Sequence, residues 1–173
     1  MYQIGDFIVY GIHGLCKIEN IGPSPFDPKE SRLFFTLHPV YAAEASMIFT
    51  PVDNDTVVKR SPMTKEQANA LIKVMPTIPA LVVEREKDRR DIYRQALRTT
   101  DPMDLVALLR TVMERRFDRS RINKRLTDAD TDFEKKAQDN LYSELSLVLD
   151  ISVAQADEIV CAAITPVGQA EEV

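Results

Sequence analysis

The stretch Ile4-Gly-Asp-Phe-Ile-Val-Tyr-Gly-Ile-His-Gly-Leu-Cys-Lys-Ile-Glu-Asn-Ile21 decides how the first third of the chain is read. Phe7-Ile-Val-Tyr10 is a run of β-branched and aromatic residues, and Gly11 and Gly14 bracket a turn. Leu15-Cys-Lys-Ile-Glu-Asn-Ile21 then alternates apolar and polar side chains, the period of a half-buried strand. Outward from this hairpin, Gly22-Pro-Ser-Pro-Phe-Asp-Pro28 holds three prolines without N–H donors and reads as an exposed loop. Arg32-Leu-Phe-Phe-Thr-Leu-His38 and Ser46-Met-Ile-Phe-Thr50 read as two more strands. Pro51-Val-Asp-Asn54 is turn chemistry, and Thr56-Val-Val-Lys-Arg60 reads as a fifth strand. Five short strands in 60 residues predict a small Tudor-like or SH3-like β-barrel, because closing the sheet protects its edges.

The period then changes. Four of the five glycines fall in the first 22 residues, and none lies between Gly22 and Gly168. Thr64-Lys-Glu-Gln67 has the spacing of a capping box and opens a helix carrying Ala68, Leu71, Ile72 and Met75, which stops before Pro76 and Pro79. A second, highly charged helix is expected from about Val83 to Leu97. Asp101-Pro-Met-Asp104 opens a third, with Asp as N-cap and Pro at N1. Its apolar stripe is Leu105, Leu108, Leu109, Val112 and Met113. Thr127-Asp-Ala-Asp130 opens a fourth, with Phe133, Ala137, Leu141, Leu145, Val148 and Leu149 on one side. Ser152-Val-Ala-Gln155 caps a fifth. The expected class is α+β in two domains: a barrel over residues 1–61, an all-α helical bundle over 62–166, and a flexible tail over 167–173.

The 173 residues carry a formal charge of −5, which argues against coating nucleic acid by bulk electrostatics. The average conceals a split. Residues 1–60 hold 5 Lys/Arg and 7 Asp/Glu, residues 61–126 hold 15 and 9, and residues 127–173 hold 2 and 11. A basic middle beside an acidic end points either to polyanion contact or to pairing between helices. Cys16 and Cys161 stand in no ligand spacing, no apolar run spans a bilayer, and the N-terminus lacks the pattern of a signal peptide. The expectation is a cytoplasmic protein with reduced thiols.

Chemistry-bearing motifs are sparse. His13 and His38 have no carboxylate or cysteine partner in metal-ligand spacing, and the phosphate-loop, nucleophile-elbow and zinc-protease signatures are absent. Binding is therefore favoured over catalysis, with no catalytic residue, cofactor or metal expected; an enzyme with an unrecognised site is the remote alternative. The basic segment carries more. Arg85, Lys87, Arg89, Arg90, Arg94 and Arg98 lie on the second helix. Arg110, Arg115, Arg116, Arg119, Arg121, Lys124 and Arg125 run along the third and past its end. Arg outnumbers Lys eleven to two in this set, and the planar guanidinium suits phosphate. The competing reading is a solvated helix face with cations near a helix C-terminus.

The quoted opening, with Gly-Asp-x-hydrophobic-Val-Tyr, then His-Gly, then an Ile-rich strand, resembles the bacterial CarD/CdnL proteins. It also resembles the polymerase-interacting domain of transcription-repair coupling factors. Ile48-Phe-Thr-Pro-Val-Asp-Asn54 is similar to that family's strand ending in a Val-Pro element. Tyr93-Arg-Gln-Ala-Leu97, Leu105-Val-Ala-Leu-Leu-Arg110 and Leu141-Tyr-Ser-Glu-Leu145 fall where CarD proteins have comparable elements. The resemblance implies a transcription regulator that docks its Tudor-like domain on the β subunit of bacterial RNA polymerase. Its helices would contact promoter DNA at the upstream edge of the melted region. It further implies that Met47, Phe49 and Pro51, with Arg32 nearby, meet polymerase. Ile48 then faces inward and Phe49 outward, although register alone leaves Phe49 either core or surface. On the DNA side it implies Lys87, Arg89, Arg90, Arg94, Arg115, Arg116, Arg119 and Arg121. Family members place a Trp wedge near the start of the second helix; this chain has no Trp, and Arg89 stands near that place. An adaptor that binds polymerase or another partner without DNA contact is the alternative.

Overall fold

The computed structural model describes residues 2–27, 29–41 and 47–165. Five antiparallel strands come first: β1 (Phe7–Tyr10), β2 (Leu15–Pro23), β3 (Leu33–Pro39), β4 (Ile48–Pro51) and β5 (Lys59–Arg60). They form one sheet in the order β4-β3-β2-β1-β5. The register pairs Ile8 with Cys16, Ile18 with Leu37, and Leu37 with Ile48. One face therefore collects Ile8, Tyr10, Cys16, Ile18, Phe35 and Leu37 as a buried cluster, with Ile21, Ile48 and Val57 packed against it. Burial pushes the Cys16 thiol up to about 12, so it acts as a small apolar side chain.

Five helices follow: α1 (Lys65–Val74), α2 (Arg89–Arg98), α3 (Pro102–Ser120), α4 (Asp128–Leu149) and α5 (Val153–Ile164). The expected caps form. Thr64 Oγ1 accepts the Gln67 N–H at 3.2 Å while Gln67 Oε1 accepts the Thr64 N–H at 2.8 Å. Ser152 and Gln155 repeat the pattern at 3.2 and 2.9 Å. Asp101 Oδ1 accepts the Met103 N–H at 2.8 Å. A second buried cluster, including Met75, Tyr93, Leu97, Leu108, Val112, Leu141, Leu145 and Val160, holds the helices together.

Four expectations need correction. The sheet does not close into a barrel: β4 and β5 are its two edges. β5 is only two residues long and Pro51 ends β4 without an N–H, so neither edge offers the other a ladder. The second helix begins at Arg89, after a single 3-10 turn at Glu86–Asp88, instead of at Val83. Val82 and Val83 are β-branched and offer no cap, and the Leu81 N–H is tied to Thr111 Oγ1 at 2.8 Å. β2 runs on through Gly22 and Pro23, which pair with Phe34 and Leu33; a proline is tolerated at the end of a ladder. The fifth strand is confined to 59–60 rather than 56–60. Ser46 and the tail over 167–173 lie outside the described residues.

Among the described residues, two contacts between sheet and helices stand out. Arg60, at the end of β5, grips Glu144 of α4 with Nη1 and Nη2 at 2.6 and 2.8 Å. Its Nε and Nη2 also donate to the Thr100 carbonyl at 3.0 and 2.7 Å. Glu144 is 1% exposed, and its Oε1 further accepts the Met63 N–H at 2.7 Å. At the β1–β2 turn, Gly14 has φ +65 and a Cβ there would stand 2.2 Å from Asn140 Oδ1 on α4. Only glycine fits that approach.

Removing one partner of a buried ion pair leaves the other uncompensated. Glu144→Ala is expected to cost about 3 kcal/mol in urea denaturation, as a lower midpoint at unchanged slope. A loss below about 1 kcal/mol, the worth of a surface pair, would contradict the burial described.

Candidate functional site

Strand alternation settles β4. Ile48 and Thr50 turn toward the core, where Thr50 Oγ1 and the Tyr10 hydroxyl lie 2.8 Å apart. Met47 and Phe49 turn the other way, and Phe49 keeps 38% of its surface exposed. Pro51 is half-buried on the same side. Arg32, just before β3, is exposed and makes a two-pronged contact with Glu30, Nε to Oε1 at 3.1 Å and Nη2 to Oε2 at 2.9 Å. That hydrogen-bonded guanidinium holds the Glu30 carboxyl below the usual carboxylate range.

Sequence periodicity does not mark two exposed apolar residues near this surface, of which only Phe26 shares the outer face of β4. Phe26 is 73% exposed, and its ring meets Phe49 edge-on at 5.5 Å. Leu33 is exposed at the start of β3. The 24–27 turn that carries Phe26 is ordered: Ser24 Oγ accepts the N–H groups of Phe26 and Asp27 at 3.2 Å each. The available signal was an aromatic ring inside a proline-rich loop, where no core exists for it to enter. Phe26, Met47 and Phe49 thus leave apolar surface exposed on the outer side of β4, which is an edge strand among the described residues.

The basic residues divide into two groups. Arg89 is not on the surface at all. It is 7% exposed, pairs with Glu86, and its Nε lies 2.9 Å from Asp130 Oδ1 with the N–H aimed off the oxygen. Arg115 bridges the same two acids, 3.0 Å to Asp130 Oδ2 and 2.6 Å to Glu86 Oε1. Arg116 pairs with Glu134 at 2.5 Å. Arg110, also buried, donates to the carbonyls of Met75 and Pro76 at 2.9 and 3.2 Å, closing the end of α1. The second group stays outside. Lys87, Arg90, Arg94, Arg98 and Arg121 are exposed and Arg119 is half-buried. Of these only Arg94 has an ion-pair partner among the described residues, Asp91 at 2.6 Å.

Asp130, 0% exposed, organises the first group. Burial pushes its carboxyl up, but the Thr127 hydroxyl, Arg115, the Thr127 N–H and Arg89 outweigh that and hold it below the usual range. It binds the ends of three elements: the start of α2, the late part of α3 and the start of α4.

An uncovered edge strand is the element to which an extended segment of a partner adds in strand-addition recognition. Residues 2–61, about a third of the chain, match the family model of the CarD-like/TRCF RID domain, so this segment is similar to that domain. Residues 62–173 lie outside the match. No curated protein matches the chain. No helix among the described residues is long and apolar enough to cross a membrane.

A carboxyl whose native pKa lies below its unfolded value, about 3.9, stabilises fully above that value and loses its contribution as pH falls through the native one. Asp130→Asn should therefore lower stability by about 2 kcal/mol at pH 7. It should also flatten the fall in stability as pH drops below about 4. Parallel acid-denaturation curves for the two proteins would contradict the role given to Asp130.

Proposed function

We propose that this chain is a transcription regulator that docks on the β subunit of bacterial RNA polymerase and touches promoter DNA through its helices. The docking domain is residues 1–61 and the DNA-facing domain residues 62–166. The observation that carries the reading is the outward Phe49 on an open edge strand, inside a segment matched as a polymerase-interacting domain. An exposed aromatic ring beside unpaired backbone groups combines a hot-spot anchor with strand addition. Met47, Pro51 and Arg32 flank it, and Phe26 extends the same apolar surface.

On the DNA side, Arg90 and Arg94 lie one turn apart on α2, with Lys87 before them and Arg119 and Arg121 at the end of α3. These groups are the phosphate contacts in this reading. Arg89 and Arg115 are held by buried Asp130 and position the helices instead, while Arg116, exposed itself, is paired with Glu134. A net charge of −5 makes free DNA a poor ligand, whereas polymerase supplies the high local concentration that a few cations need. A cytoplasmic location accompanies this function. The second reading, an adaptor without DNA contact, draws support from the many arginines already paired inside the fold.

Phe49→Asp is expected to keep the fold, since the side chain is outside the core, and to lose most capture of isolated polymerase β in a pull-down. Full-strength capture would refute docking through β4. On a polymerase–promoter complex, Arg90→Ala with Arg94→Ala should reduce the log–log salt slope by about 2, close to one unit per phosphate contact. Arg89→Ala should lower thermal stability with little change in slope. An unchanged slope in the double variant would favour the adaptor.

A further inference from the structure

The backbone ladder leaves β4 and β5 as separate edges, yet side chains span the gap between them. In the sheet order, β3 and β2 lie between β4 and β1. Tyr10 of β1 and Thr50 of β4 nevertheless meet, hydroxyl to hydroxyl, at 2.8 Å. The sheet therefore curls until β4 comes within hydrogen-bond reach of β1. Both residues are buried. Asn54, in the turn after β4, completes a triad. Its Nδ2 donates to Thr50 Oγ1 at 3.0 Å and to the Tyr10 hydroxyl at 3.2 Å.

The turn is itself held. Asn54 Oδ1 accepts the N–H and the hydroxyl of Thr56 at 3.0 and 2.6 Å, which fixes the side chain that serves the triad. Lys59 of β5 reaches across the opening. Its Nζ donates to the carbonyls of Val52 and Asn54 at 3.0 and 2.7 Å. Asp55, its ion-pair partner, is exposed and stands farther off, at 3.7 Å, so the ammonium serves chiefly the two carbonyls. Tyr10 and Lys59 are partners in the β1–β5 register. Both ties from the end of β4 therefore run to the same place in the sheet.

We propose that Tyr10, Thr50, Asn54 and Lys59 are positioning residues for docking, a side-chain latch that holds β4 in its curled place and so aims Phe49 at the partner. The inference rests on the polymerase-docking reading and adds how the docking edge keeps its shape. β4 has four residues and a ladder on one side, with β3. Short segments held by few contacts open at the lowest cost. A closed barrel would hold β4 by backbone pairing and cover its edge. Closure by side chains holds the strand and leaves that edge to a partner. Phe49 and Thr50 are neighbours on opposite faces, so hydrogen bonds inside the core set the direction of the ring outside it. A strand ordered in advance loses little freedom on binding.

The test uses the full chain and isolated polymerase β. It reads the Kd of the complex and, in the free chain, amide exchange at residues 48–50. Tyr10→Phe and Thr50→Val keep the shape of the core, and each removes two of the triad's three hydrogen bonds. At a temperature where circular dichroism shows both folded, each should exchange the β4 amides about tenfold faster and bind about tenfold more weakly. Thr50→Ser restores the hydroxyl and should bind like the native chain. Lys59→Met keeps the apolar stem and should weaken binding in the same direction; it carries the test if a core variant fails to fold. Native affinity in the folded variants, whatever their exchange, would overturn the latch alone. Weakening that Thr50→Ser shares in full would do the same. Failure of the native chain to bind polymerase β would instead overturn the docking reading beneath it.

Discussion

Arg60 and Glu144 meet across the junction of sheet and helices, and the geometry of both candidate surfaces depends on that meeting. Arg60 is the last residue of the last strand, and Glu144 is the most buried carboxylate of α4 apart from Asp130. The guanidinium spends its fork on Glu144 and its remaining donors on the carbonyls of Thr100 and Ser61. Thr100 has φ +58 and is buried, a conformation a β-branched residue adopts only where its surroundings hold it. Buried pairs of this kind contribute more to orientation than to net stability. Gly14 against Asn140 gives a second point of contact. Both contacts help fix how the sheet and the helices stand relative to each other.

The same economy explains the split of charge along the chain. The sequence left open whether the basic middle meets an outside polyanion or the acidic end of its own chain. The structure divides the residues between the two. Arg89, Arg115 and Arg116 are held by Asp130, Glu86 and Glu134, so they align α2, α3 and α4. Lys87, Arg90, Arg98, Arg121 and the cations after α3 have no such partner among the described residues and keep their charge at the surface. Exposed arginines on a framework of paired ones are already oriented, and binding need not order the helices that carry them.

Much of this was legible beforehand, for local reasons. The Gly11–Gly14 turn, the capping boxes at Thr64 and Ser152, and the Asp101-Pro102 start all act within four residues, so spacing alone exposes them. What escaped was set by partners far along the chain. Whether the sheet closes depends on β4 meeting β5, and a two-residue strand cannot show that in its own sequence. Arg89 looked like a surface cation because its partner Asp130 lies forty-one residues later. The start of α2 is hidden in sequence because charge periodicity over 84–88 resembles a helix, whereas the Leu81 N–H is tied to Thr111 Oγ1 on α3. Phe26 was passed over because its loop has no strand period, although that is why its ring stays outside.

The central claim is that β4 is the docking edge. Amide hydrogen exchange on the full chain, with and without isolated polymerase β, tests it most directly. New protection should concentrate on residues 47–51 and the Phe26 turn, leaving the amides of α3 and α5 unchanged. Protection confined to the helices, or none anywhere at saturating polymerase β, would contradict the account.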